Sequence, residues 1–450
     1  MIELQEEDDL TAPPQVSLKG ENLTPAAEEA RRILSLALIA SPGRRPVAVF
    51  LGHEDYQKVE TIVDELEGAL MLECLPAFVH QQGGQIVMAF RFGNAGEVLN
   101  AIWRAVTVNG ATRRYVAEGY LFIHSPHEKM VVSAELIPVQ GRKKFRITLR
   151  GSGDSASFWR NWQDYTRRNN YLRGQAFFAD GEIIERRRIY GWDDILLPEE
   201  TKRIIRTHVD GFLRNRMWLK AVGVKARRGL IFSGPPGTGK TLTGKVLADT
   251  LDASFVWVCP RHVQFAVCFQ EIMSVARLVS PAVVFLEDLD LFAEEREHNS
   301  GSGLGELMNQ LDGAIDNEDI ITIATTNRLD VIEKALRNRP GRFDRVIEFS
   351  AMDEYCRRRM LEKLLAHATL APADMAHLVA VTSDYTGAQL EELTNTLYIL
   401  GADSDDTPVA QVEDGREASP RNISVDRRLI DTALQEVNVE TRSRLGFHAA

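Results

Sequence analysis

The stretch Gly234-Pro-Pro-Gly-Thr-Gly-Lys-Thr241 restricts what this chain can become more than any other. Its glycines, lysine and hydroxyl have the spacing of a phosphate-binding loop, which works only between a buried strand and the start of a helix. The flanks supply both: Gly229-Leu-Ile-Phe-Ser233 reads as a buried strand, and Leu242 to Leu251 has helical spacing. Gly234, Gly237 and Gly239 permit a backbone path that turns successive N–H groups toward phosphate oxygens. Lys240 is placed to reach the β- and γ-phosphates and Thr241 to set its hydroxyl on Mg²⁺, while the positive end of the following helix favours the added negative charge. Pro235, Pro236, Thr238 and Leu242 complete the cradle, so the chain is expected to bind a nucleoside triphosphate.

Further downstream, Val283-Val-Phe-Leu286 is an apolar run of buried-strand type, and Glu287-Asp-Leu-Asp290 follows at its carboxyl end, where open α/β sheets assemble ligand sites. This is a Walker B segment. One carboxylate of the Glu287-Asp288 pair is expected to hold Mg²⁺ through water and its neighbour to orient and polarise the water that attacks the γ-phosphorus. Ile320 to Thr325 is a further β-branched strand ending in Thr326-Asn327; Asn327 suits either a hydrogen bond to that water or a turn. Arg339-Pro-Gly-Arg-Phe-Asp-Arg345 gathers three arginines around a turn, and guanidinium groups suit a phosphate as well as a charged surface.

Composition narrows the alternatives. A chain of 450 residues, 44% hydrophobic and 26% charged, is long enough for two or three globular domains. A net charge of −11 makes nucleic acid a secondary expectation as partner. Four widely spaced cysteines, without a CxxC pair, suggest neither a disulfide framework nor zinc, and a reducing, cytoplasmic setting is expected. The N-terminus is acidic where a signal peptide is basic, and no apolar run approaches a membrane span of about 20 residues.

Residues 1 to about 23 read as a mobile acidic leader and residues 24 to about 180 as an α+β domain with a linker. Within it Val59, Ile62, Val63, Leu66 and Leu70 recur at helical spacing, and 47–51, 85–92, 131–137 and 145–149 read as strands. Trp159, Trp162, Tyr165 and Tyr171 alternate with basic residues, and Glu185-Arg-Arg-Arg188 follows; single-stranded nucleic acid binders share that composition, as do solvated linkers and domain contacts. Residues 198–218 read as one long amphipathic helix leading into the loop strand.

Together, GPPGTGKT, VVFLEDLD, LDGA (311 to 314), ATTN (324 to 327), RPGRFDR and YTGAQLEEL (385 to 393) resemble the AAA family of ATPases, over about residues 190 to 440. The resemblance implies a parallel P-loop sheet with helices on both faces from 190 to about 350. It also implies a small helical lid over 351 to 445, interrupted by an acidic insertion at 401 to 420, and a homo-oligomeric ring, usually of six subunits. In such rings Arg339 and Arg342 would be fingers reaching the γ-phosphate held by the neighbouring subunit. Asn327 matches sensor 1, Gly387 and Ala388 match the start of the lid helix that contacts nucleotide, and Asp194 and Ile195 match the segment near adenine. Asp312-Gly313 matches the element that reports nucleotide state across the interface.

Three departures bear on mechanism. The family order is Asp-Glu, whereas Glu287-Asp288 leaves the polarising role to a carboxylate one methylene shorter, about 1 Å less in reach. The same order resembles the mitochondrial translocase branch that moves a folded iron–sulfur protein, although a membrane anchor like that branch's is not expected from this sequence. At the pore loop, Gln264-Phe-Ala-Val267 lacks the usual glycine, and Phe265 suits either a gripping or a core residue. The third departure is the acidic insertion, which reads as a mobile surface loop. The expected function is Mg²⁺-dependent ATP hydrolysis coupled to remodelling or moving a protein partner that the first domain recognises. A non-threading assembly switch and a nucleic-acid-associated ATPase are the alternatives.

Overall fold

The computed structural model describes residues 28, 32, 33, 35, 45–52, 56–93, 98–185, 189–260, 269–294, 317–330, 332, 343–404 and 422–444. The leader, Phe265, Asp312-Gly313, Arg339, Arg342 and the acidic insertion from residue 405 lie outside them.

The first unit comprises helix α1 (Arg45–Leu51), strand β1 (Gln57–Asp64), helix α2 (Glu65–Gln81), strands β2 (Gln85–Phe92), β3 (Val98–Asn100), β4 (Ile102–Val108), β5 (Ala111–His124), β6 (Lys129–Val139) and β7 (Arg142–Gly151), and helix α3 (Ser155–Asn169). The strands form an antiparallel sheet in the order β1-β7-β6-β5-β2-β3, with β4 paired to β5. Strand alternation gives this sheet two buried faces. Leu121 and Ile123 join α2 and α3 on one, while Phe122 between them meets Phe50 of α1 on the other, ring centroids 5.2 Å apart.

Two sequence expectations fail here. Residues 47–51 form helix α1, not a strand: their β-branched composition yields to the packing of Val47, Phe50 and Leu51 on the sheet. The helical spacing from Val59 to Leu70 spans two elements. Val59 and Val63 belong to β1, whose exposure alternates against β7, and the helix begins only at Glu65. Of the alternatives left open for the aromatics of 159–171, the structure shows a domain contact and not a stacking surface. Trp159, Trp162 and Tyr171 are buried, and the Trp162 indole N–H donates to the Met71 carbonyl at 3.0 Å.

The second unit is a parallel sheet in the order β13-β9-β12-β11-β10-β8. Its strands are β8 (Ala176–Phe178), β9 (Arg227–Ser233), β10 (Ser254–Val258), β11 (Ala282–Leu286), β12 (Ile320–Thr326) and β13 (Arg345–Glu348). Every residue of β10, β11 and β12 is buried, as expected for strands covered on both faces by crossover helices. β8 comes from the stretch assigned by sequence to the first domain, so the sheet recruits its edge strand from upstream of residue 180. The single helix expected over 198–218 is two, α4 (Glu199–His208) and α5 (Asp210–Ala221), with the bend at Val209 beside Gly211. Helices α6 (Lys240–Thr250), α7 (Phe269–Leu278) and α8 (Leu289–Glu294) complete the unit among the described residues.

The lid has its own core around Leu361, Leu378, Leu393 and Ile430. It consists of α9 (Glu354–Leu364), α10 (Pro372–Val381), α11 (Gly387–Ser404) and α12 (Arg427–Arg444), with a short parallel pair of β14 (Ala368–Leu370) and β15 (Ile423–Val425) that is too brief to show as a sequence period. No helix among the described residues is long and apolar enough to cross a membrane.

The first unit is seated on α7. Glu271 of α7 pairs with Arg142 at 3.3 Å and Lys144 at 3.7 Å, Asn170 donates to the Leu278 carbonyl at 3.3 Å, and Arg173 donates to the Ser280 carbonyl. Leu70, Val108 and Tyr171 share a core with Val256, Ile272 and Ala276.

Trp162→Ala removes the largest fully buried side chain among the described residues together with the hydrogen bond that its indole gives the Met71 carbonyl, so urea denaturation should show a loss of about 3–5 kcal/mol. A loss under about 1 kcal/mol would show that α3 is not integral to this core.

Candidate active site

The loop between β9 and α6 sits at the carboxyl end of β9, with β12 on one side and the edge strand β13 on the other. The Gly234 N–H donates to the Thr326 carbonyl at 3.2 Å, which ties the loop to the end of β12. A Cβ at Gly234 would collide with the Phe349 carbonyl oxygen, so only glycine lets the two chains pass. Gly237 has φ +76°, and a Cβ there would lie 2.6 Å from Ala388 Cβ and 3.1 Å from Thr386 Oγ1. The loop therefore touches the lid through Gly237 and the Thr386 to Ala388 turn, bringing together residues 150 positions apart in sequence.

Thr238 donates its hydroxyl to the Pro235 carbonyl at 2.8 Å, and the Lys240 ammonium lies on the Gly234 and Pro235 carbonyls at 2.6 and 2.8 Å. The loop thus holds its lysine within itself, at the start of α6. Burial lowers the Lys240 pKa, and the charges of Asp288 and Asp290 oppose that shift. Ile195 and Leu197 pack over Gly239, with methyl carbons 3.6 and 3.7 Å from where its Cβ would be. Asp194 turns inward instead, accepting the Gly191 N–H at 2.9 Å. Pro236 belongs to the same loop, and Leu242 packs its side chain into the second unit's core.

Helix α6 meets the end of β11 through one hydrogen bond, from the Thr241 hydroxyl to Glu287 Oε1 at 2.7 Å. The other oxygen, Oε2, accepts from the Trp257 indole N–H at 3.1 Å and from Cys259 Sγ at 3.6 Å. Asp288 follows with φ +51°, in the left-handed region that Asp and Asn enter more readily than Glu. Its N–H donates to Thr325 Oγ1 at 2.9 Å, and burial first, then the charges of Glu287 and Asp290, raises its pKa against the pull of Lys240. Asp290 is buried and accepts the Asn327 N–H at 3.3 Å, which leaves the Asn327 side chain exposed at the strand end.

Sequence reasoning assigned no part to Asp290, Thr325, Trp257 or Cys259. Asp290 was legible as the last residue of the Glu-Asp-Leu-Asp run. Nothing in the sequence marked the other three, which reach the carboxyl pair only because β10, β11 and β12 are adjacent. Arg339 and Arg342 lie outside the described residues, but the strand that follows them is anchored. Asp344 Oδ2 accepts the Gly229 N–H at 3.0 Å, and Arg345 approaches His208 Nε2 at 2.9 Å.

The residues fit a magnesium nucleotide. Lysine, hydroxyl and carboxylate converge at a helix N-terminus, and the glycine loop keeps side chains out of the approach. Among the described residues no group of three or more His, Cys, Asp and Glu is arranged to hold a metal alone.

Comparison with known proteins agrees with this geometry. Residues 230–351 match the family described as ATPase family associated with various cellular activities (AAA). The chain is 32% identical over 245 residues to proteasome-activating nucleotidase 2 of Halobacterium salinarum, covering 51% of this chain and 58% of that protein. It is 29% identical over 269 residues to the cell division cycle protein 48 homolog of Archaeoglobus fulgidus, covering 55% and 37%. It is 32% identical over 250 residues to the ATP-dependent zinc metalloprotease FtsH of Mycoplasma mobile, covering 52% and 34%. The chain thus spans between 34% and 58% of the length of these relatives.

The raised Asp288 pKa means that its charge opposes folding, fully so above the raised value and not at all well below the unfolded 3.8. Asp288→Asn, which keeps a side chain tolerant of positive φ, should therefore have a higher Tm than the parent at pH 8, and the gap should close as the pH falls toward 4. Asp288→Glu should lower Tm, by the equivalent of about 1 kcal/mol, for its left-handed backbone. Equal melting of all three proteins at pH 8 would contradict both.

Proposed function

We propose that this chain, which carries an AAA module across residues 230–351, is a magnesium-dependent ATPase that works as a homo-oligomeric ring, of six subunits by analogy with the family, to remodel or move a protein partner. The observation that carries the ATPase reading is the Thr241 to Glu287 hydrogen bond beside Lys240 and Asp288, since it joins the phosphate-binding half of the site to the carboxylate half.

In this reading Lys240 and the backbone N–H groups of 237–241 bind the β- and γ-phosphates, with Lys240 leaving its carbonyl partners for the phosphate oxygens. Thr241 and Glu287 would hold Mg²⁺, which when bound neutralises charge building on the transferred phosphoryl group. Asp288 accepts a hydrogen bond from the attacking water and draws its proton, and Asn327 orients that water from the end of β12. The raised pKa of Asp288 makes it a better proton acceptor than an ordinary aspartate, which offsets part of its shorter reach. Ile195 lies over Gly239 on the adenine side of the loop, and Gly387 and Ala388 carry the lid's response to nucleotide through their contact with Gly237. Arg339 and Arg342 supply charge to the γ-phosphate of the neighbouring subunit.

Protein remodelling draws support from the relatives named for cell division cycle protein 48 and a proteasome-activating nucleotidase, and the first unit is the part left to recognise a partner. A second reading, an assembly switch that does not thread its partner, is favoured by the seating of that unit on α7. Partner binding there bears directly on a helix of the ATPase sheet through Glu271.

Lys240→Ala should lose nucleotide binding and turnover, and Arg339→Ala should lose turnover by about 10³-fold while retaining nucleotide. Mixing the two variants in equal amounts should restore about a quarter of parental turnover, because one interface in four then pairs an intact lysine with an intact finger. Full turnover by Arg339→Ala alone would sink the shared-site reading. Because Asp288 works ionised, turnover should fall as pH drops through its raised pKa. Asp290→Asn, which removes one of the charges raising it, should move that acid limb to lower pH; an unmoved limb would show that another group titrates.

A further inference from the structure

Trp257 is the large side chain of the site that the mechanism leaves unused. It is 6% exposed and pairs in register with Phe285, the ring centroids 4.8 Å apart, on the sheet face that two residues later carries Glu287. Cys259 returns to that face by strand alternation. The Glu287 carboxyl is thereby divided: Oε2 takes the indole N–H at 3.1 Å and the thiol at 3.6 Å, and Oε1 takes the Thr241 hydroxyl at 2.7 Å. Glutamate has one more rotatable bond than aspartate and loses more side-chain freedom when fixed. A donor on the distal oxygen, itself immobilised between Phe255 and Phe285, removes that freedom before any ligand arrives.

We propose that Trp257, assisted by Cys259, is a positioning residue for the magnesium site, holding Glu287 by Oε2 so that Oε1 stays on Thr241. The proposal rests on reading Thr241 and Glu287 as the magnesium-holding pair. It accounts for how this chain places a glutamate where its relatives' family order has an aspartate. Outer hydrogen bonds of this kind orient metal ligands, and their loss weakens metal binding by about 10- to 100-fold.

The test uses the full chain, with Mn²⁺ as a paramagnetic probe. In Trp257→Phe, which keeps an aromatic ring in the core, Mn²⁺ binding in the presence of ADP, followed by electron paramagnetic resonance, should weaken about tenfold. ADP binding in EDTA should be unchanged. The Mg²⁺ concentration for half-maximal turnover should rise by the same factor, with turnover at saturating Mg²⁺ close to the parent's. Cys259→Ala should weaken Mn²⁺ less, because a thiol is the poorer donor. In a Glu287→Asp background the added Trp257→Phe change should cost under about twofold, since the shortened carboxyl no longer reaches the indole. Parental Mn²⁺ affinity in Trp257→Phe, or an equal loss of metal-free ADP binding, would overturn the positioning role alone. Failure of the parent to bind Mn²⁺ with ADP would remove the reading of Thr241 and Glu287 and the proposal with it.

Discussion

A single hydrogen bond, Thr241 to Glu287, closes the site, and the sheet order exists around it. Strand β9 delivers the phosphate loop and β11 the carboxyl pair, but β12 lies between them, so the loop and the acids are not neighbours by strand pairing. Helix α6 spans the gap by crossing over the sheet with its N-terminus above the strand ends. Its first hydroxyl reaches Glu287, and the Gly234 N–H and Thr325 hydroxyl tie the loop and Asp288 to the intervening strand. Ligands gather at carboxyl ends of parallel strands for this geometric reason.

Within that frame the electrostatics are deliberately unbalanced. Two carboxylates, Asp288 and Asp290, act on the ammonium of Lys240, and burial, with repulsion from Glu287 and Asp290 added to it, raises the pKa of Asp288. Asp290 is satisfied by the Asn327 N–H and Glu287 by three donors, so the excess charge falls on Asp288, which a backbone turn of positive φ thrusts out of the strand. In the proposed mechanism this partly buried carboxyl, raised in pKa, is the proton acceptor. The left-handed backbone also gives a physical reason for the Glu-Asp order, since the second position favours the shorter residue.

The parts legible in the sequence were those with a fixed local grammar. The glycines around Lys240, the acidic pair after an all-apolar strand and the asparagine after Thr326 each announced both residue and position. Illegible were features made by adjacency of distant strands: the Trp257 and Cys259 donors, the Thr325 acceptor and the β8 edge strand drawn from the first domain's stretch. In the first unit the failures have a different origin. At Asp64 a period of two runs straight into a period of 3.6, which blurred β1 into α2, and Val47 to Leu51 has the composition of a strand but the packing of a helix. For the basic aromatic segment the sequence left a nucleic-acid surface, a linker and a domain contact open; its aromatics face the core while its arginines face out, which composition alone could not resolve.

The division of labour between the two acids is the central claim, and single-turnover hydrolysis of ATP by Glu287→Gln and Asp288→Asn tests it most directly. With Mg²⁺ saturating and bound nucleotide measured in the same samples, Asp288→Asn should hold Mg²⁺–ATP at parental affinity and cleave it at least about a hundredfold more slowly. Glu287→Gln should need far more Mg²⁺ to bind the same nucleotide. Parental cleavage by Asp288→Asn, or the loss of its Mg²⁺ dependence in place of that of Glu287→Gln, would contradict the assignment.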